Sequence, residues 1–172
     1  MENKEKMIEL FSMICTQFDG APLGKKVTQK IFYFFERKGI KLNLKYGIHF
    51  YGPYSSKLDT AIHVLESDDY LNVDTSGMTH IISLKNNCNV KNVLSPDERT
   101  IANSVIKLFA HKSPLELEAL ATMDYVANVM LNHPNKSQII DSFKTIKGKK
   151  FSDEMIDLAF NELEKDKLIL LN

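Results

Sequence analysis

The chain has 172 residues, of which 44% are hydrophobic and 26% are charged. This composition fits an ordinary globular protein and excludes a disordered one. The 22 Lys and Arg residues equal the 22 Asp and Glu residues in number. Because DNA-binding domains usually carry excess positive charge, this balance argues against nucleic acid as the main partner.

The N-terminus and the cysteines indicate a cytoplasmic location. The first six residues are too highly charged for a signal peptide, and no apolar run approaches the length of a membrane span. We therefore expect no membrane partner. Cys15 and Cys88 are the only cysteines, and neither has a His or Cys neighbour at metal-ligand spacing. Free thiols in a reducing compartment are expected, with a disulfide as the alternative.

The N-terminal half predicts three helices and a β-hairpin. The third helix follows a turn at Gly52-Pro53 and is predicted to begin with Ser56 as its N-cap. Three helices followed by a hairpin are typical of a winged helix. The predicted elements are helices over 7–18, 25–38 and 56–66, an extended segment over 42–51, and hairpin strands over 70–74 and 78–84.

The C-terminal half predicts further helices. Ser95-Pro-Asp-Glu98 and Ser113-Pro-Leu-Glu116 each place Ser at the N-cap, Pro at the first helical position and Glu at the third. The helix after Ser113 is apolar on most sides, as expected of a central helix. The predicted elements are a linker over 86–94 and helices over 96–110, 114–131, 136–146 and 153–164.

The predicted fold is therefore mainly α, of the α+β kind. A winged-helix-like unit with a small β-hairpin spans residues 1–85 and packs on a helical unit over 95–172, so that both form one globular domain. Two segments, 64–71 and 162–169, both pass from a helix through Leu-Glu-x-Asp into a short apolar run. Internal duplication and shared chemistry at the helix exit both explain this repeat.

No catalytic constellation is recognisable. The five histidines do not pair with each other or with a Cys at helical ligand spacing, so no zinc signature exists. A glycine-rich phosphate loop and a Gly-x-Ser-x-Gly elbow are also missing. We therefore predict no catalytic residue, no metal and no cofactor, with an uncharacterised enzyme as the third hypothesis for the function.

One face of the second helix carries basic and aromatic residues. Lys26, Lys30, Tyr33 and Arg37 follow the spacing i, i+4, i+7 and i+11, which predicts that they share one side of the helix. This side is either a solvated face or a surface for a partner, because Tyr and Arg are enriched at interface hot spots. As a partner surface, it predicts that Ala at Tyr33 and Arg37 weakens the complex without shifting thermal unfolding.

Nucleic acid is the less favoured partner for a topological reason. In a winged helix the reading helix normally precedes the wing, and it carries Arg, Lys, Asn or Gln towards the bases. The predicted helix over 56–66 offers Lys57 and His63, but also Asp59 and Glu66. It is a poor recognition helix.

The segment His49-Phe-Tyr-Gly-Pro-Tyr54 is the second candidate site. Its aromatic residues either cover one end of the core or serve a partner. In the second case Tyr51 and Tyr54 flank a helix N-terminus able to hold a carboxylate or a peptide end. The predicted partner-binding set is Lys26, Lys30, Tyr33, Arg37, Tyr51 and Tyr54.

The same residues carry a resemblance to a known family. Lys26, Thr28-Gln-Lys30, Ile31 and Tyr33, then Phe50-Tyr-Gly-Pro-Tyr-Ser55, resemble the bacterial YwgA-type proteins. More remotely they resemble the SocA-like antitoxin domain, also called Panacea. The resemblance implies a mostly helical fold and, for the antitoxin branch, the binding and neutralisation of a cognate toxin. That branch usually has two Trp-containing motifs, whereas this chain has no Trp.

The sequence thus predicts a non-enzymatic protein-interaction module, antitoxin-like or adaptor-like, that binds a toxin or a regulated protein. The alternative is a winged-helix transcriptional regulator that binds DNA. A homodimer is a further alternative for the partner.

Overall fold

The computed structural model describes residues 2–18, 23–86 and 88–171. Within these residues, no helix is long and apolar enough to cross a membrane. The elements in chain order are α1 (Glu2–Gln17), β1 (Leu23–Gly24), α2 (Lys25–Arg37), β2 (Gly47–His49), β3 (Gly52–Tyr54), α3 (Ser56–Ser67), β4 (Leu71–Asp74), β5 (Ile81–Leu84), α4 (Pro96–Phe109), α5 (Pro114–Tyr125), a π-helical turn (Val126–Met130), α6 (Lys136–Lys147) and α7 (Asp153–Lys165).

The chain divides into two compact units. Unit 1 comprises residues 1–46 and 55–112, and unit 2 comprises residues 47–54 and 113–172. The predicted ranges were 1–85 and 95–172, so the structure groups two elements differently. Helix α4 belongs to unit 1 because it packs on α1 and α2, and the β2–β3 hairpin belongs to unit 2 because β3 packs on α5.

Unit 1 has the topology of a winged helix. Strand β1 pairs with β5, and β5 pairs with β4, in an antiparallel sheet of order β1-β5-β4. The short strand β1 lies between α1 and α2 in sequence, and the β4–β5 hairpin follows α3. The prediction of a mainly α fold with a small β-hairpin is confirmed.

The core of unit 1 forms around α2. The nine consecutive residues from Val27 to Phe35 are all buried, so α2 is covered on every side and not only along the predicted apolar stripe. Phe34 stacks on Phe109 of α4 with ring centroids 4.0 Å apart, and Phe32 contacts Phe11 of α1 at 4.7 Å. Aromatic pairs at such distances stabilise a core by more than the burial of their surface area alone.

The predicted linker is held against α1. The buried carboxylate of Glu9 accepts hydrogen bonds from the Val93 and Leu94 amides, at 2.7 and 2.8 Å, and pairs with Arg99. Residues 88–94 form no helix or strand, as predicted, and Asn87 lies outside the described residues. Because Glu9 satisfies their amides, these residues are part of unit 1.

Unit 2 is organised around α5. Residues 117–124 of α5 are all buried, and the helix packs on α6 and α7. The predicted helix over 114–131 instead ends at Tyr125 and continues as the π-helical turn. The capping boxes at Ser95 and Ser113 are confirmed.

Two details of the helix ends differ from or refine the predictions. The N-cap of α3 is Ser55, since its side chain accepts the Leu58 amide, and the prediction of Ser56 is wrong. Helices α3 and α7 end alike, with a left-handed residue after the last turn, Asp69 at φ 62° and Lys167 at φ 55°. The two segments with the repeated Leu-Glu-x-Asp pattern therefore share the same backbone geometry at the helix exit.

Candidate functional site

The four predicted residues of α2 do not form one solvent-facing surface. Lys26 is exposed and Arg37 is half-buried, whereas only 3% of Lys30 and 2% of Tyr33 are exposed. The prediction of a shared exposed face is therefore wrong for Lys30 and Tyr33. Helical spacing places residues on one side of a helix, but it does not decide whether another element covers that side.

Tyr33 has a structural role in unit 1. Its ring meets Tyr46 edge-on with centroids 5.2 Å apart, and it lies 5.3 Å from the ring of Phe34. Truncating a buried aromatic side chain to Ala typically costs about 3–5 kcal/mol. We therefore expect Tyr33→Ala to lower thermal stability, contrary to the prediction made for an interface residue.

Gln29, in the Thr28-Gln-Lys30 segment of α2, has a structural role. Its amide donates to the Ser55 carbonyl at 3.0 Å and accepts from the Ser55 amide at 2.9 Å, inside the core of unit 1. The Ser55 hydroxyl in turn donates to the Leu44 carbonyl at 2.5 Å. These contacts fix the chain on both sides of residues 47–54, so Gln29 and Ser55 have structural roles in unit 1.

The extended segment before the hairpin is also held by one side chain. The Glu36 carboxylate accepts hydrogen bonds from the Leu42 and Leu44 amides, each at 3.1 Å. Asn43 and Lys45 have left-handed backbones, with φ 58° and 55°. This conformation costs free energy in residues other than glycine. The hydrogen bonds to Glu36 therefore stabilise a strained segment that is not paired in a β-sheet.

The β2–β3 hairpin turns at Phe50 and Tyr51. The register pairs His49 with Gly52, and Gly52 has φ 85°. Two turn residues followed by a left-handed glycine are typical of a hairpin that closes with a glycine bulge. Gly52 is therefore needed for its backbone, and the two turn residues project from the end of the hairpin.

Phe50 and Tyr51 form an exposed pair, called here the aromatic tip. Phe50 is 72% exposed and Tyr51 is 42% exposed, and their rings meet edge-on with centroids 4.9 Å apart. The predicted residue Tyr54 is half-buried and lies beside His49, with ring centroids 5.3 Å apart. Of the predicted pair, only Tyr51 therefore belongs to the tip.

A cluster of charges, of which Glu118 and Lys147 are buried, holds the aromatic tip within unit 2. The Lys147 ammonium donates to the Phe50 carbonyl and to the Glu118 carboxylate, each at 2.8 Å. Lys150 donates to both oxygens of Glu118, at 2.7 and 2.8 Å. Burial lowers the pKa of Lys147, while the Glu118 carboxylate opposes this change. We call Glu118, Lys147 and Lys150 the clamp cluster.

Lys150 also contacts the rings directly. Its ammonium lies 4.9 Å from the Tyr51 ring centroid, 5.5 Å from that of Phe50 and 5.7 Å from that of Phe151. Cations within about 6 Å of an aromatic face are attracted by the ring quadrupole. Lys150 therefore links the clamp cluster to the side chains of the tip, as Lys147 links it to the backbone.

The clamp cluster was not predicted. Glu118 is an acidic residue within the apolar run of the central helix, and such a residue needs a partner when it is buried. That was the available signal in the sequence. The partners come from residues 147–150, and nothing in the local pattern shows that this segment reaches Glu118.

Within residues 2–18, 23–86 and 88–171, no three His, Cys, Asp or Glu side chains are grouped as metal ligands. Cys15 and Cys88 are free, half-buried thiols, and burial raises the pKa of each. No protein-family model matches the sequence, and no curated protein matches it at a significant level.

Proposed function

We propose that this chain is a non-enzymatic protein-interaction module and that it binds a protein partner through the aromatic tip. The observation that carries the proposal is the exposure of Phe50 and Tyr51 on a hairpin whose backbone and rings are both held by the clamp cluster. Large aromatic residues are typical of interface hot spots.

Preorganisation supports this assignment. An interface residue that is already ordered loses less conformational entropy on binding than a mobile one. Lys147 fixes the Phe50 carbonyl and Lys150 lies against both rings, so the pair is ordered before a partner arrives. An exposed aromatic pair that merely covered the core would need no such support.

The antitoxin-like or adaptor-like character of the module rests on the sequence resemblance. The aromatic tip lies inside the segment from Phe50 to Ser55 that carries the resemblance. Under this proposal the partner is a toxin or a regulated protein, and the location is the cytoplasm.

The experiment is a tagged pull-down from the native host after nuclease treatment, with the eluate identified by mass spectrometry. Wild type is compared with Phe50→Ala/Tyr51→Ala and with a control, Met78→Ala, which truncates a fully exposed apolar side chain in unit 1. The identified partner is then produced separately, and its affinity for each form is measured by titration calorimetry.

We expect wild type and Met78→Ala to retain one partner in stoichiometric amount. The tip variant should lose about 2 kcal/mol or more of binding free energy at unchanged thermal stability. Equal affinity in all three forms would refute the aromatic tip as the binding site. A parallel pull-down without nuclease that recovers nucleic acid and no protein would favour the alternative function.

That alternative is a DNA-binding regulator, and the winged-helix topology of unit 1 is the observation that favours it. The charges oppose it. Asp59 on α3 pairs with Lys25 at 2.5 Å, and the loop over 75–80 at the end of the wing contains no Lys or Arg. Fluorescence anisotropy with labelled duplex DNA tests it, because phosphate binding must weaken steeply as salt rises.

A further inference from the structure

The chemistry around the aromatic tip indicates what kind of partner segment it receives. Three lysines, Lys147, Lys149 and Lys150, are close in sequence, and two of them, Lys147 and Lys150, share a single buried carboxylate, Glu118. The next lysine, Lys144, is already neutralised by Asp153 at 2.6 Å. These three lysines and Glu118 together therefore carry an excess of positive charge, in a chain whose net charge is zero.

Within the described part of the chain, the part of this charge that is not paired with a carboxylate is on Lys149. Lys147 is buried, and Lys150 is shared between Glu118 and the rings. Lys149 is exposed, and among the residues that the structure describes no carboxylate lies within ion-pairing distance of it. Lys149 immediately precedes Lys150 in the chain, and the Lys150 ammonium lies 4.9 Å from the Tyr51 ring centroid.

We infer that the aromatic tip receives an acidic peptide segment, with Asp or Glu carboxylates at Lys149 and an apolar side chain against Phe50. This inference rests on the proposed function, since it names the partner class of the same site. Carboxylates complement the excess charge, and the exposed Phe50 ring supplies the apolar contact.

Nucleic acid also combines negative charge with groups that stack on aromatic rings. The structure favours the peptide because nucleic-acid affinity comes from many phosphate contacts, each needing its own cation. Here Lys149 is the one lysine of the three without a carboxylate partner among the described residues, and the other two are bound to Glu118. A single unpaired cation suits a carboxylate-bearing side chain better than a phosphate backbone.

The test is a selection of random peptides displayed on phage against the full-length wild-type chain. The library is first depleted on the Phe50→Ala/Tyr51→Ala variant, so that only peptides dependent on the aromatic tip remain. Selected peptides are synthesised with a fluorescent label, and their affinities for wild type, Lys149→Glu and Lys165→Glu are measured by anisotropy. Lys165 is an exposed lysine at the end of α7 and serves as the matched control.

We expect the selected peptides to be rich in Asp and Glu. Reversal of the charge at Lys149 should weaken their binding by about five-fold, the scale of one exposed ion pair, while Lys165→Glu leaves it unchanged. Raising the salt concentration should also weaken binding.

The outcomes separate this inference from the proposed function. Peptides that depend on the tip but carry no excess of acidic residues, or that ignore Lys149→Glu, would overturn the acidic class alone. A selection that yields no tip-dependent peptide would overturn the inference and would also count against the aromatic tip as the binding site of the proposed function. Labelled single-stranded DNA that competes with a selected peptide for the tip would overturn the assignment to a peptide.

Discussion

Removing the negative charge of Glu118 tests the clamp cluster most directly. Glu118→Gln keeps the size of the side chain and one carbonyl acceptor, but leaves the Lys147 ammonium without a charged partner. Only 2% of the Lys147 side chain is exposed, so water cannot replace the lost carboxylate. The Phe50 carbonyl at 2.8 Å remains as its hydrogen-bond acceptor.

The magnitude follows from this burial. Breaking a buried ion pair by removing one partner typically costs about 3–5 kcal/mol, because the other charge stays uncompensated. Lys150 is partly exposed and can turn its ammonium towards water, which limits its share of the loss. We therefore expect Glu118→Gln to lower the free energy of unfolding by about 3 kcal/mol, at the lower end of this range.

The assay is urea denaturation followed by circular dichroism, combined with amide hydrogen exchange of residues 47–54. Exchange in the hairpin should become faster in Glu118→Gln, because the anchor at the Phe50 carbonyl weakens. The double variant Glu118→Leu/Lys147→Met removes both charges and should recover most of the stability. A loss below about 1 kcal/mol for Glu118→Gln would show that the pair is solvated and would refute this reasoning.

Three further predictions concern unit 1. Gln29→Ala should lower the free energy of unfolding by about 2–4 kcal/mol, because the buried amide and carbonyl of Ser55 both lose their partner; urea denaturation measures this. Lys45→Gly should raise it by about 0.5–1 kcal/mol, because glycine relieves the left-handed strain at φ 55°; thermal denaturation detects this. The Lys6 ammonium lies 2.7 Å from the Glu98 carboxylate and lowers its pKa. The ion pair therefore stabilises the fold above the ordinary pKa near 4.5, and this stabilisation is lost as the pH falls through the lowered pKa. Glu98→Gln should therefore flatten the decline of stability below about pH 4.5, as acid titration of unfolding measures.

Each of these predictions has a matched control. Gln17→Ala changes an exposed glutamine at the end of α1 and should leave stability unchanged, so an equal loss there would contradict the role of Gln29. Lys41 lies in the same segment as Lys45 but has no positive φ. Lys41→Gly should therefore lower the stability of the protein. Stabilisation by both glycine variants would show that strain at Lys45 is not the cause. Asp97→Asn removes an exposed acid in the same first turn and controls for the loss of one negative charge at the start of α4.

The sequence alone determined the order of the helices and several of their N-terminal caps. Caps such as Ser95 and Ser113 act on amides three residues away, and apolar periodicity is a property of neighbouring residues. The order of helices and hairpin therefore sufficed for the winged-helix topology. The aromatic segment around Tyr51 was also recognisable, because aromatic residues beside Gly and Pro form a local pattern.

Only the tertiary structure decided which side chains are buried and which meet. Tyr33 and Lys30 occupy the polar side of their helix, and packing covers that side all the same. Lys147 meets Glu118 across 29 positions and the Phe50 carbonyl across 97. A contact over such a separation depends on how whole elements pack, so the local sequence around either residue does not predict it.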